Sequence, residues 1–104
     1  MSKVKLCALK ELSDDAATRI VVDGYKIAAA VIDGKVYAID DTCSHAEYSL
    51  SEGELYASEL ELECPKHGST FSLLDGEPQC LPATAPVAVY AAEIDGDDVY
   101  VELP

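Results

Sequence analysis

The stretches DTCSHAEYS (residues 41–49) and LECPKHGST (residues 62–70) each present one cysteine followed closely by one histidine. One residue separates Cys43 from His45, two separate Cys64 from His67, and 18 lie between His45 and Cys64. Together the pairs take both histidines of the chain and two of its four cysteines. Thiolate and imidazole are good ligands for zinc, copper and iron–sulfur centres. Spacing narrows the choice. A zinc finger brings two cysteines from one short run and two histidines from another. Here each loop supplies one of each. A single tetrahedral zinc reached by two Cys-His loops is one solution. The other uses two metals, with both thiolates on one and both imidazoles on the other, so that each loop spans the pair.

The totals bound what such a site can serve. The chain has 104 residues, the size of one domain. Folding at this size buries roughly two-thirds of the unfolded surface, enough for a compact core with little room for a second active centre. Twenty acidic residues face seven basic ones, for a net charge of −13. Phosphate binding depends on Lys and Arg, so nucleic acid is excluded as a natural partner, and anionic membrane surfaces are disfavoured. The charge favours a partner with a positive docking face. The opening MSKVKLCALKEL has no long apolar run and no cleavage site, so neither a signal peptide nor a membrane anchor is expected. Four cysteines without a secretory signal point to a reducing cytoplasm, where such spacings are read as metal sites before disulfides.

Alternation of β-branched and aromatic residues predicts an all-β chain. A first strand is expected over 4–9. TRIVVDGYKIAAAVIDGKVYAID (18–40) reads as three strands joined by tight turns at Asp23-Gly24 and Asp33-Gly34, because Asp-Gly supplies the positive φ that two-residue hairpins need. ELELEC (59–64) alternates strictly, with Leu60 and Leu62 on one face, and delivers Cys64 at its end. STFSLLDGEP (69–78) is a further strand running into a turn at Asp75-Gly76, and VAVYAAEIDGDDVYVEL (87–103) closes the chain as a hairpin around Asp95-Gly96. Helix is limited to a turn or two near LKELSDDAA (9–17). The segment from about 41 to 82 stands out as a metal-binding lobe inserted in this β framework, in one domain spanning 1–104.

At this point a resemblance becomes specific. Cys43-Ser44-His45 with Cys64-Pro65-Lys66-His67-Gly68 matches the C-x-H…C-P-x-H-G signature of Rieske proteins. With LPATAP (81–86) and the final hairpin, the chain resembles the small Rieske-type ferredoxins that serve bacterial aromatic-ring dioxygenases, most tightly from Val36 onward. The resemblance implies an antiparallel Rieske-like fold and one [2Fe–2S] cluster, with Cys43 and Cys64 on one iron and His45 and His67 on the other. In that family the histidines bind through Nδ1 and present their other nitrogen at the surface. That makes them the electron's exit and makes the potential fall at alkaline pH. Two ferric ions, two sulfides, two thiolates and two neutral imidazoles sum to a neutral oxidised core. It accepts an electron more readily than an all-thiolate core, about −150 to +300 mV against about −400 mV.

Departures from the high-potential branch set the expected position within that range. The resemblance implies no disulfide between the ligand loops, since neither carries an extra cysteine. Ser69 is kept where that branch hydrogen-bonds the cluster, but Phe71 stands in place of its tyrosine. A low potential for the type is expected, raised slightly if the Ser69 hydroxyl reaches a sulfide, although an ordinary loop hydroxyl bonded to backbone is equally consistent. The acidic surroundings push the potential down as well, within the limits of screening. Cys7 in an apolar strand reads as a buried inert thiol. Cys80 reads as a structural thiol opening the 81–86 proline loop, which shields the cluster in the family. Lys66 reads as a solvated charge or a docking contact, and the tyrosines at 25, 37, 90 and 100 as packing residues.

The expected function is a soluble one-electron carrier, not itself an enzyme. It would take electrons from a flavin-containing reductase and pass them to a Rieske oxygenase. The chain is no oxygenase alone, because that needs a separate site of two histidines and a carboxylate. Two alternatives stay open: an accessory subunit of another redox enzyme, nitrite-reductase-like or in iron–sulfur assembly, and a zinc-stabilised interaction module.

Overall fold

The computed structural model describes residues 2–13, 15–42, 49–65, 68–79 and 85–104. Strands β1 (Ser2–Ala8), β2 (Thr18–Val22), β3 (Tyr25–Ile32) and β4 (Lys35–Asp40) come first. β5 (Leu55–Tyr56), β6 (Glu61–Glu63) and β7 (Thr70–Ser72) follow, then β8 (Val89–Tyr90), β9 (Ala92–Asp95) and β10 (Asp98–Leu103). They form three antiparallel sheets in the orders β2-β3-β4-β8, β1-β10-β9 and β5-β6-β7. Among the described residues helix is confined to 3-10 turns at Leu9–Glu11 and Leu50–Glu52, so the all-β expectation holds.

The two Asp-Gly turns behave as their chemistry dictates. Asp23 and Gly24 take φ of 49° and 83°, Asp33 and Gly34 52° and 79°. Left-handed backbone at both central residues gives the turn whose twist matches the flanking strands. The pairs Val22↔Tyr25 and Ile32↔Lys35 fix the register.

β3 is the centre of the molecule. Its run Ile27 to Ile32 is apolar throughout rather than alternating, as expected of a strand covered on both faces. Ile27 and Ala29 join Leu6, Cys7, Leu12, Ala38, Tyr90, Val99, Val101 and Leu103 in one core, against the β1-β10-β9 sheet. Ala28, Ala30 and Ile32 join Ile39, Leu50, Leu55, Leu62, Cys64, Phe71, Leu73 and Val87 in another, against the β5-β6-β7 sheet. The β2-β3-β4-β8 sheet is therefore a middle layer, and both cores rest on one strand. Cys7 is buried and free, as expected. Burial and the nearby Glu11 carboxylate push its thiol above the ordinary value, with Lys5 opposing.

Several sequence expectations shift. The first strand runs Ser2–Ala8 and yields to the 3-10 turn at Leu9. The strand expected over 59–64 shrinks to Glu61–Glu63, because Leu60 takes φ +56° inside a turn. It packs on the core edge from there instead of sharing a strand face with Leu62. The strand expected from Ser69 is only Thr70–Ser72, and Leu74 is 64 % exposed at the following turn. The final hairpin turns at Gly96-Asp97, one residue later than expected, with Asp95 paired to Asp98. It also begins later: Val89 and Tyr90 pair with Ile39 and Ala38 in the middle sheet, and the chain changes sheets at Ala91.

Phe71 is the largest fully buried side chain among the described residues. Phe71→Ala is expected to cost about 3–5 kcal/mol through lost burial and a cavity. Val21→Ala, on the exposed edge strand β2, is expected to change stability by about 0.5 kcal/mol or less. Thermal or urea unfolding of the two variants measures the difference.

Candidate metal centre

β6 leads into the second Cys-His loop. Leu62 faces the core with no exposure, while Glu61 and Glu63 face outward, as period-two alternation requires. Cys64 follows directly. Its side chain is fully buried, yet its thiol is free. The Cys64 N–H donates to the Ser69 carbonyl at 2.7 Å, and the Gly68 N–H donates to the Cys64 carbonyl at 3.0 Å. These two bonds close a tight loop over 64–69, and φ +75° at Gly68 turns the chain back toward β7. Ser69 is fully buried beside Cys64. Phe71, two residues further on in β7, is buried in the same core as Cys64.

The first loop leaves β4 at Asp41, whose side chain is buried. A buried carboxylate must be compensated by donors or cations, and among the described residues its side chain has three partners. The Ser51 N–H donates to Oδ1 at 2.9 Å, the Ser49 hydroxyl donates to Oδ2, and the Arg19 guanidinium lies 3.2 Å from Oδ2. Its backbone is engaged too, with the N–H donating to the Lys26 carbonyl and the carbonyl accepting from the Leu50 N–H. Ser49 and Ser51 share a further hydroxyl contact at 2.8 Å. Thr42 and Ser49 form an antiparallel bridge. The backbone is thus fixed at residues 41–42 and again at 49–51. Beside this clamp, burial raises the carboxyl of Asp40 above its usual range, and the Asp41 charge adds to that, against backbone hydrogen bonds that lower it.

The two loop bases are tied together at Gly53. After the Leu50–Glu52 turn the backbone of Gly53 crosses β6 so closely that a Cβ there would lie 1.6 Å from the Glu63 carbonyl oxygen and 3.2 Å from Pro65 Cδ. Only glycine fits. The Glu63 N–H then donates to the Glu54 carbonyl at 2.9 Å. The chain from the clamped base of the first loop is therefore packed onto the strand that delivers Cys64.

Of the four expected ligands, Cys64 is placed directly. Cys43, His45 and His67 lie outside the described residues, as do Lys66, Cys80 and most of the proline loop. Among the described residues no three metal-binding side chains converge. What the structure contributes is the seating of both Cys-His segments: each base is fixed by hydrogen bonds, and the Cys64 thiol is buried, unbridged and at the end of a strand. That environment suits a thiolate ligand kept away from water. The clamp at Asp41 and the glycine crossing were missed by sequence reasoning. The signals available were small: an acid two residues before Cys43, serines at 49 and 51, and a glycine at 53 away from any hairpin.

Comparison with known proteins places the chain among characterised relatives. Residues 2–91 match the family described as the Rieske [2Fe-2S] domain. The 3-phenylpropionate/cinnamic acid dioxygenase ferredoxin subunit of Shigella flexneri serotype 5b (strain 8401) is 36% identical over 104 residues, covering 100% of this chain and 96% of its own. The ferredoxin of carbazole 1,9a-dioxygenase from Nocardioides aromaticivorans IC177 superposes with a TM-score of 0.91 at 36% identity, over 97% of each chain. A complex of reduced oxygenase and oxidized ferredoxin in carbazole 1,9a-dioxygenase also matches, at TM-score 0.85 and 34% identity, over 95% of this chain and 91% of that one.

Asp41→Ala leaves the Ser51 N–H and the Ser49 hydroxyl without their acceptor and is expected to cost about 2–4 kcal/mol. Asp41→Asn keeps the shape and one acceptor oxygen and is expected to cost less. Denaturant unfolding of the two variants ranks them. Gly53→Ala is expected to destabilise more than either, because backbone must move.

Proposed function

Because the chain belongs to the Rieske [2Fe-2S] family and is an electron-transfer protein with one such cluster rather than an enzyme, we propose that Cys43 and Cys64 hold one iron and His45 and His67 the other. The domain is the whole of 1–104, with about 41–82 as its cluster-binding lobe. The observation that carries the ligand reading is Cys64, a fully buried free thiol fixed at the mouth of a closed loop. When bound, the cluster supplies a site that takes up one electron and releases it. The family assignment sets aside the single-zinc arrangement.

The chain's own residues supply the rest. The Asp41 clamp fixes the backbone that leads into and out of the first Cys-His pair, and the hydrogen bonds of Cys64 fix that residue, which limits reorganisation as charge changes. Leu50, Leu62 and Phe71, all fully buried, back the site with apolar packing and keep water from that side. Phe71 brings no hydroxyl to the site, which supports a low potential within the Rieske range.

The electron comes from a flavin-containing reductase and goes to a Rieske oxygenase. The second half of that path is supported by the similarity to a ferredoxin seen in complex with its oxygenase. Residues 41–82 carry nine of the twenty acidic side chains against one lysine, or −8 of the net −13. The negative field is therefore concentrated around the cluster lobe, and the docking faces of both partners are positive. The carrier works in the cytoplasm without nucleic-acid or membrane partners; among the described residues no helix is long and apolar enough to cross a membrane.

Anaerobically purified protein is expected to contain about two irons and two acid-labile sulfides per chain, to be red-brown, and to give a Rieske-type EPR signal on reduction with dithionite. Cys64→Ser is expected to lose that signal. A colourless protein without labile sulfide overturns the proposal. With a reconstituted reductase and oxygenase, raising salt is expected to slow electron transfer, since steering fades within a Debye length of about 8 Å at physiological ionic strength. An unchanged rate removes the docking argument.

A further inference from the structure

Glu63 stands between the outer face of the β5-β6-β7 sheet and the second ligand loop. It is covalently next to Cys64, and β6 turns its side chain away from the core. Its two carboxylate oxygens look in different directions. Oε1 accepts a hydrogen bond from the Tyr56 hydroxyl at 3.1 Å. Oε2 reaches Gly68 at the far end of the loop, where a Cβ would sit 3.4 Å from it. Tyr56 pairs in register with Glu61, so its hydroxyl reaches Glu63 diagonally across the strands. The bond to Glu63 is the main reason the Tyr56 phenol is held above its ordinary value. A solvated glutamate sweeps many rotamers and its field is screened. This one is anchored by a phenol with one oxygen against the loop.

We propose that Glu63, held by Tyr56 against the 64–68 loop, is a tuning residue that lowers the reduction potential of the cluster. This rests on the assignment of Cys64 and His67 as ligands. Reduction adds one negative charge at the centre, and a carboxylate fixed beside one of its two loops opposes that charge more strongly than a solvated glutamate such as Glu61. Net charge near the centre is an established lever on iron–sulfur potentials. Glu61 is the internal reference. It carries the same charge on the same face of β6, two residues farther from Cys64, and pairs with Ser72 instead of Thr70.

Redox titration of the intact holoprotein, followed by visible absorbance and EPR at fixed pH, tests the assignment in E63Q, E61Q and Y56F. Glutamine keeps the shape and still accepts the tyrosine's hydrogen bond, so E63Q removes charge alone. E63Q is expected to raise the reduced-to-oxidised ratio at a given applied potential about three- to tenfold, or about 30–60 mV at 59 mV per tenfold for one electron. E61Q is expected to raise it less than about twofold, and Y56F by an intermediate amount as the freed carboxylate moves into solvent. Equal shifts in E63Q and E61Q, or an unmoved potential in E63Q and Y56F, overturn the proposal. Wild-type protein lacking the Rieske EPR signal would instead overturn the ligand assignment beneath it.

Discussion

A carboxylate taken out of water at the end of β4 is the constraint on which the metal centre depends. Asp41 cannot remain charged and buried without partners, since the desolvation penalty for a lone ion is several kcal/mol. Among the described residues its side-chain partners are Arg19 on β2, and Ser49 and Ser51 beyond the first Cys-His pair. Satisfying one charge thus brings the far side of the loop back to the strand it left. The Arg19 side chain is half exposed, so its contribution is discounted by solvent. The hydroxyl and backbone donors hold the geometry.

From that clamp the arrangement propagates by close approach rather than by charge. The Leu50–Glu52 turn drops Leu50 into the core, and Gly53 lays the backbone directly on β6. β6 ends at Cys64, whose loop closes on Ser69. The bases of the two Cys-His segments are in this way built on one continuous piece of hydrogen-bonded and packed backbone. A redox site benefits from such rigidity, because ligand motion on gain of an electron would slow transfer.

The middle sheet explains why so small a protein has room for this. β3 buries both faces and serves two cores at once. Its three consecutive alanines keep the layers close. One core joins the terminal strands; the other carries the β5-β6-β7 sheet that leads to Cys64.

The sequence by itself determined the all-β class, the two Asp-Gly hairpins and the two Cys-His pairs, because turn chemistry, alternation and ligand spacing are local properties written in neighbouring residues. It also showed Cys7 as a buried thiol and the acidic excess around the ligand loops. Tertiary structure alone decided which acid is structural, since nothing local separates Asp41 from Asp40. It alone placed Leu60 in a left-handed turn against the pattern of its own strand and moved Val89 and Tyr90 into a different sheet from Ala92. It alone made Gly53 indispensable. Each of these follows from contacts between segments distant in the chain, where burial and close approach outweigh local preference, and such contacts leave no periodic trace to read.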